Sequence, residues 1–188
     1  MYVAASAGDA GGAIGAAYAA LIDAGFPSQQ LTMKHAYLGP EFPAEYVQIL
    51  LAKSEEQLES EECSVSFIED FDEICHEVSE LISQGHVVGW FQGKMEWGPR
   101  ALGNRSILGD PRRKDMKDIL NLKIKRRESF RPFAPSILEE EVKNWFEEND
   151  DVPFMMQVFQ FNRQKRKDVP AVVHVDGSGR LQTVSRDT

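Results

Sequence analysis

Residues 89–108 read Gly-Trp-Phe-Gln-Gly-Lys-Met-Glu-Trp-Gly-Pro-Arg-Ala-Leu-Gly-Asn-Arg-Ser-Ile-Leu. The apolar run at residues 87–91 is short, β-branched and aromatic, which predicts a buried strand. Glycines follow at positions 93, 98 and 103, with cations and small polar side chains between and after them. Glycine allows sharp turns and close approach to a ligand, and fixed cations on such a loop bind phosphate or carboxylate. The stretch therefore predicts a pocket for an anionic small molecule at the end of a strand.

Charge is unevenly distributed along the chain. The 188 residues carry a net charge of −9, which argues against general binding to nucleic acid or to an anionic membrane. Residues 94–131 nevertheless hold 12 of the 21 lysines and arginines against five acids, whereas residues 54–80 hold 11 acids and no lysine or arginine. This asymmetry predicts a local positive site in an acidic protein, which suits a small anion better than a polymer.

Several common motifs are excluded. Residues 89–94 follow the pattern G-x-x-x-G-K, one residue short of a P-loop, and Met95 stands where Ser or Thr is required. The four histidines do not form a metal-ligand pattern, and the two cysteines have neither metal-binding nor disulfide-framework spacing. No apolar run reaches the length of a membrane span. We therefore expect a cytoplasmic protein that does not act at a membrane.

The hydrophobic periodicity predicts alternating helices and strands. Asp9 and Asp70 stand where helix N-caps are expected. Helices are predicted over residues 10–24, 43–51, 71–82 and 110–124, with a short one at 142–146. Strands are predicted over residues 65–68, 87–91, 133–138 and 154–161, and a hairpin over residues 172–184 with its turn at 176–179.

Four segments resemble the O-carbamoyltransferases of nodulation and antibiotic biosynthesis. The longest and most specific is residues 93–112, Gly-Lys-Met-Glu-Trp-Gly-Pro-Arg-Ala-Leu-Gly-Asn-Arg-Ser-Ile-Leu-Gly-Asp-Pro-Arg. The others are residues 125–136, Lys-Arg-Arg-Glu-Ser-Phe-Arg-Pro-Phe-Ala-Pro-Ser; residues 170–177, Pro-Ala-Val-Val-His-Val-Asp-Gly; and residues 7–17, Ala-Gly-Asp-Ala-Gly-Gly-Ala-Ile-Gly-Ala-Ala. The segments occur in the same order as in that family and together touch most of the chain.

The resemblance implies an α/β fold with a twisted mixed sheet and helices, similar to the carbamoyl-adenylate-forming (YrdC-like) domain. It implies that residues 1–30 are the C-terminal end of an actin-like transferase domain, residues 31–42 a linker, and residues 43–188 the carbamoyl-adenylate-forming domain. In the family the chain continues at both ends, so we expect this sequence to be truncated. Missing strands would leave an apolar edge exposed, which predicts self-association.

The function that the resemblance implies is that of one part of an O-carbamoyltransferase. Carbamoyl phosphate and ATP would give carbamoyl adenylate, and the preceding domain would pass the carbamoyl group to a hydroxyl of a sugar or natural product. ATP is the implied cofactor, together with iron or another divalent metal in the preceding domain. The resemblance makes Asp9 a ligand of that metal, alongside histidines that this chain does not contain. From the residues alone, Asp9 fits a helix cap equally well.

The chemistry needs cations in fixed positions, because two anionic substrates must approach and pyrophosphate must leave. Arginine binds phosphate through two parallel hydrogen bonds, and lysine supplies a compact charge. We assign catalysis to Lys94, Arg100 and Arg105. We assign binding of the substrate or nucleotide to Asn104, Ser106, Arg127, Arg131, Ser136 and His174. We call the loop that carries the glycines at positions 93, 98 and 103 the glycine loop. For these residues to form one site, the glycine loop and the segment 125–131 must converge.

Two other functions remain open. A non-catalytic relative would bind nucleotide through the same cations and form no adenylate. A nucleic-acid-binding module built on residues 94–131 would need aromatic side chains interleaved with the cations, and this segment has few.

Overall fold

The computed structural model describes residues 3–27 and 32–186. Over these ranges the α-helices are α1 Gly12–Asp23, α2 Ala44–Lys53, α3 Glu55–Ser60, α4 Phe71–Ser83, α5 Met116–Asp118 and α6 Val142–Trp145. Three further helical segments are the 3-10 turns Asp9–Gly11 and Glu139–Glu141 and the π-helical segment Ile119–Ile124. Within the described ranges, no helix is long and apolar enough to cross a membrane.

The strands of the described residues are short and pair as three two-stranded sheets. The pairs are β1 Val88–Phe91 with β2 Arg105–Leu108, antiparallel; β3 Ser136–Leu138 with β6 Gln182–Val184, parallel; and β4 Phe159–Gln160 with β5 Ser178–Gly179, antiparallel. The predicted α/β class with mixed strand pairing is confirmed. The strands are distributed over separate small sheets because long irregular segments divide them.

Local signals explain the helix-to-strand unit that leads into the glycine loop. The carboxylate of Asp70 accepts a hydrogen bond of 2.9 Å from the backbone N–H of Asp72 and so caps α4. Gly85 ends the helix with a φ of +92°, a conformation that favours glycine. The ring of Phe71 packs edge-on against Trp90 of β1, with centroids 6.1 Å apart. The prediction of α4 followed by a strand is confirmed.

The main hydrophobic core is built mostly by the C-terminal half of the chain. Its largest buried side chains are Phe146, Phe159 and Phe161, and the rings of Phe146 and Phe161 lie 4.2 Å apart. Leu181, which is fully buried, packs in the same cluster just before β6. This core fixes the position of residues 174–181, the segment before β6, which carries two residues of the candidate site.

The segment that precedes α2 packs directly on the glycine loop. The backbone N–H of Trp97 donates to the carbonyl of Ala36 at 2.6 Å, and that of Met95 donates to the carbonyl of Pro40 at 2.9 Å. Buried Ala5, Ala36 and Leu102 form one apolar cluster at this contact. The predicted domain boundary at residues 30 and 31 lies outside the described residues. The division into an actin-like end, a linker and a second domain therefore stays a prediction.

Some of the predicted strands are wrong. Residues 65–68 form no strand, and the side chain of Phe67 is 84% exposed. The predicted strand 154–161 is reduced to β4, because Met155 lies in a turn with a φ of +53°. The predicted hairpin over residues 172–184 is replaced by pairing of β5 with β4 and of β6 with β3. The strand at 87–91 is present, but it is not buried: alternate residues are exposed, Phe91 by 52%.

Two helix starts also differ from the prediction. The predicted helix 110–124 begins only at Met116, because the carboxylate of Asp110 accepts a 2.9 Å hydrogen bond from the backbone N–H of Arg112 and holds a turn there. Asp9 lies inside the first 3-10 turn, and Gly8 occupies the cap position before it. The helix that follows, α1, agrees with the predicted range within two residues.

Candidate functional site

The glycine loop, residues 92–104 between β1 and β2, is organised around one buried carboxylate. The side chain of Glu96 has no solvent exposure. Its Oε1 accepts hydrogen bonds from the backbone N–H groups of Leu102 at 2.6 Å, Asn104 at 2.8 Å and Arg105 at 3.2 Å. Because three donors converge on one oxygen, the carboxylate holds the far side of the loop in a fixed conformation.

Arg105 is the ionic partner of this carboxylate. Its Nε donates to Oε2 of Glu96 at 2.8 Å. One terminal nitrogen of the guanidinium lies 3.2 Å from the carbonyl of Glu96, 3.1 Å from that of Gly98 and 3.3 Å from that of Arg100. Several of its donors are therefore engaged within the loop. The geometry gives Arg105 a part in shaping the loop, and its predicted role in catalysis stays a prediction.

Three other predicted residues of this stretch also contribute to its shape. The side-chain amide of Asn104 donates to the carbonyl of Lys94 at 2.7 Å, and its oxygen accepts from Gln92 at 3.3 Å. The hydroxyl of Ser106 accepts a hydrogen bond of 3.2 Å from the backbone N–H of Gly103. The side chain of Lys94 is exposed. These contacts fix the loop and leave Lys94 at its surface.

Ser136 is connected to the loop through one intermediate side chain. Its hydroxyl donates to the side-chain oxygen of Gln182 at 3.3 Å, and the amide nitrogen of Gln182 donates to the carbonyl of Leu102 at 2.7 Å. The hydroxyl of Tyr37 donates to the same carbonyl at 3.0 Å. The parallel pair β3–β6 is thereby attached to the tip of the loop.

The pH dependence of stability should report on the buried carboxylate. Burial alone would raise the pKa of Glu96, but the hydrogen bonds from Arg105 and the loop N–H groups prevail and lower this pKa below its usual value of 4.5. A carboxylate whose pKa is lower in the folded state stabilises the protein above its unfolded pKa, and that contribution is lost as the pH falls through the folded value. We therefore expect the free energy of unfolding to decrease below about pH 4.5, and to decrease less in Glu96→Gln. Urea denaturation between about pH 6 and pH 3 measures this, and equal slopes for both proteins would contradict it.

Arg100, Arg127 and Arg180 come from separate segments, and the charges of Arg100 and Arg127 act on Arg180; we call these three residues the arginine cluster. Burial, followed by the charges of Arg100 and Arg127, lowers the pKa of Arg180. The Nε atom of Arg180 is buried and has no hydrogen-bond partner among the described residues. A donor without an acceptor on which like charges act is expected of an anion site.

The structure brings Arg127 to this cluster, whereas Arg131 has a separate ionic partner. Nε of Arg127 donates to the side-chain oxygen of Asn121 at 2.6 Å, and its guanidinium lies 4.7 Å from the centre of the Phe133 ring. Nε of Arg131 is paired with Glu128 at 2.9 Å, and both side chains are about half exposed. The charges of Arg100 and Arg127 both act on Arg180, and the convergence of the glycine loop with segment 125–131 stays a prediction.

His174 lies at the same place, on the turn that precedes Arg180. Its Nδ1 lies 3.0 Å from the hydroxyl of Ser178, which donates to the carboxylate of Asp176 at 2.6 Å. Its Nε2 is buried and has no hydrogen-bond partner in the described part of the chain. Burial lowers the pKa of His174, and the charge of Arg180 lowers it further against the opposing effect of Asp176. The lowered pKa favours the neutral form of the imidazole.

The structure neither describes the side chain of the predicted metal ligand nor places the predicted site residues on the cavity it contains. The side chain of Asp9 lies outside the described residues, so its role as a metal ligand stays a prediction. Among the side chains that are described, no three His, Cys, Asp or Glu residues are grouped so that they could hold a metal ion. A cavity of about 730 Å³ lies between residues 32–37 and 151–157, and none of the predicted site residues lines it.

Sequence reasoning missed two residues of this site. Glu96 was not singled out, although a lone acid between the glycines of a basic loop was a usable signal. Arg180 lies three residues beyond the segment 170–177 and directly follows the turn Asp176–Gly179. Its position next to Arg100 and Arg127 follows only from the folded chain.

Comparison with known proteins gives a consistent family assignment. A family model described as the carbamoyltransferase C-terminus matches residues 79–188, which is more than half of the chain. Over the whole chain, identity is 39% to an uncharacterized protein of Synechocystis, 42% to nodulation protein NolNO of Sinorhizobium fredii and 41% to nodulation protein NolO of Bradyrhizobium diazoefficiens. The chain spans 34%, 27% and 34% of the lengths of these relatives, respectively.

Proposed function

This chain belongs to the carbamoyltransferase family, and from that premise we propose that its arginine cluster binds carbamoyl phosphate and ATP and promotes formation of carbamoyl adenylate. Water cleaves carbamoyl phosphate into inorganic phosphate and carbamate, an anionic oxygen of the carbamate attacks the α-phosphorus of ATP, and pyrophosphate leaves. In the whole protein the carbamoyl group then passes to a hydroxyl of a small-molecule acceptor. The metal expected in the preceding domain and the identity of the acceptor belong to the same proposal.

The observation that carries the proposal is the unpaired state of Arg180. Several arginines outside the cluster, among them Arg112, Arg113 and Arg186, pair with neighbouring acids. Arg180 instead has two arginines nearby and a buried N–H without an acceptor among the described residues. A partly buried cation beside like charges is unfavourable unless an anion joins it. The phosphates of both substrates supply that anion.

The fixed glycine loop supports catalysis as well as binding. Arg100 lies on the part of the loop that Glu96 and Arg105 hold, and its own carbonyl accepts from Arg105. A cation fixed before the reaction stabilises developing negative charge without the cost of reorganising during the reaction. The leaving pyrophosphate is the group that most needs such charge.

A nucleic-acid-binding module is disfavoured by the same ion pairs. Several arginines of the basic segment 94–131 pair with acids within the segment, among them Arg105 with Glu96 and Arg112 with Asp110. Paired cations release fewer counterions when they meet a phosphate backbone. A non-catalytic relative that only binds nucleotide is the stronger alternative, because binding needs the same cluster.

Isotope exchange between pyrophosphate and ATP tests the proposal. We expect exchange that depends on added carbamoyl phosphate, and we expect Arg100→Ala to reduce it by about ten- to hundredfold, as for the loss of one charge-assisted hydrogen bond. Lys114→Ala, which changes an exposed lysine of the same basic segment, serves as the control. Nucleotide binding without exchange would identify the non-catalytic relative. Absence of binding to ATP and to carbamoyl phosphate would contradict the whole proposal.

A further inference from the structure

Helix α2, Ala44–Lys53, lies open to solvent along its whole length. None of its 10 residues is buried, although four large aliphatic side chains and a tyrosine are among them. A helix of this length is marginal in water without tertiary packing, and a helix that is apolar on several faces is normally covered. The chain as a whole exposes 13018 Å², whereas a compact protein of its mass exposes roughly 9,100 Å². The surplus is large enough for α2 to be covered by a partner.

An aromatic group beside α2 enlarges its exposed surface. The ring centre of Phe42, just before the helix, lies 5.2 Å from that of Tyr46 and 6.1 Å from that of Phe91 on β1. Ile49 follows Tyr46 at helical spacing and is the most exposed of the large apolar residues of α2, at 54%. We call Phe42, Tyr46, Ile49 and Phe91 the apolar patch. Contiguous exposed apolar side chains of this kind mark interaction surfaces.

The helix surface around Ile49 is complementary to itself. The neighbours of Ile49 at three and four positions are Glu45, Tyr46, Ala52 and Lys53. If two copies of α2 cross in antiparallel orientation on a two-fold axis at Ile49, position 45 faces position 53 of the other copy and position 46 faces position 52. Each glutamate then meets a lysine, and each tyrosine ring meets a small alanine.

The charges of this surface favour a second copy of the chain over a partner of another kind. Neither Glu45 nor Lys53 has an ionic partner among the described residues. A partner of uniform charge would attract one of them and repel the other, whereas the two-fold pairs both. The register is also specific. A crossing centred one residue later, at Leu50, would oppose Glu45 to Glu55 and Lys53 to Val47.

We propose that α2 and the apolar patch form the interface of a two-fold dimer of this chain, with Ile49 on the axis and Glu45 of each copy beside Lys53 of the other. The interface is a helix face and is distinct from the sheet edge from which the sequence predicts self-association. It is also independent of the function proposed for the arginine cluster.

Sedimentation velocity and charge-reversed variants test the dimer. The wild-type chain should pass from monomer to dimer between about 1 µM and about 500 µM. Ile49→Lys places two like charges on the axis and should weaken the dimer by about hundredfold, and Glu45→Lys should weaken it by about tenfold. Glu45→Lys combined with Lys53→Glu should restore it, because both pairs form again with their signs exchanged. Glu77→Lys, on an exposed residue of α4, is the matched control and should leave the dimer intact.

Restoration by the combined variant makes the test independent of any effect that a single change has on folding. A wild-type chain that stays monomeric up to about 500 µM would overturn the proposal. So would a dimer that neither Ile49→Lys nor Glu45→Lys weakens, because the two copies would then meet at another surface, such as the edge of a sheet.

Discussion

Replacing Arg105 by alanine is expected to lower the free energy of unfolding by about 3–5 kcal/mol, because it leaves the fully buried carboxylate of Glu96 without its ionic partner. Three carbonyls of the loop would lose a donor at the same time. Arg105→Lys should recover only part of the loss, since an ammonium group cannot reproduce the fork that reaches Oε2 and the carbonyls together. Urea denaturation of the three proteins measures the effect.

A double-mutant cycle distinguishes a loop-shaping role from a role in binding. If the cost comes from the unpaired carboxylate, Glu96→Gln combined with Arg105→Ala should be much less destabilising than the sum of the two single changes. Lys114→Ala, on an exposed side chain, should change the free energy of unfolding by less than about 0.5 kcal/mol. A stable Arg105→Ala protein with lost nucleotide affinity would instead support the original assignment of Arg105 to the substrate.

The parts of the fold that follow from neighbouring residues could be predicted from the sequence. Helix α4 needs only its periodic apolar residues, the cap at Asp70 and the stop at Gly85, all of which lie within a few positions of each other. Strands failed where pairing depends on distant segments. Strand β6 pairs with β3 across 46 positions, at Ser136 and Gln182, and β5 pairs with β4 across 20 positions, at Phe159 and Gly179. No local pattern specifies such a partner.

The candidate site likewise has features that neighbouring residues indicate and features that only the folded chain shows. The residue types of the glycine loop indicate a concentration of cations. They do not distinguish Arg105, which forms an ion pair with Glu96, from Arg100, which belongs to the arginine cluster. An arginine becomes a candidate for ligand binding when its surroundings leave it unpaired, and pairing is a property of the folded chain. For the same reason Arg180 was missed.

Replacing Arg180 by methionine is expected to weaken binding of carbamoyl phosphate and of ATP by about ten- to hundredfold. The guanidinium supplies a buried N–H that has no acceptor among the described residues, and methionine retains the apolar stem without the charge. Arg186→Met is the matched control, because Arg186 is 77% exposed and pairs with Glu140 outside the cluster. Calorimetry measures both affinities, and equal small losses in the two variants would contradict the assignment of Arg180.

The stability of Arg180→Met should move in the opposite direction from its affinity. Burial and the charges of Arg100 and Arg127 lower the pKa of Arg180, which means that the fold disfavours its charged form. Removing that charge should therefore leave the melting temperature of the ligand-free chain unchanged or raise it. Added carbamoyl phosphate should stabilise the wild-type chain more than the variant, since stabilisation by a ligand follows its affinity. If Arg180 mainly contributes packing, the variant should show a lower melting temperature and unchanged affinity. Thermal unfolding with and without carbamoyl phosphate therefore distinguishes a role of Arg180 in stability from a role in anion binding.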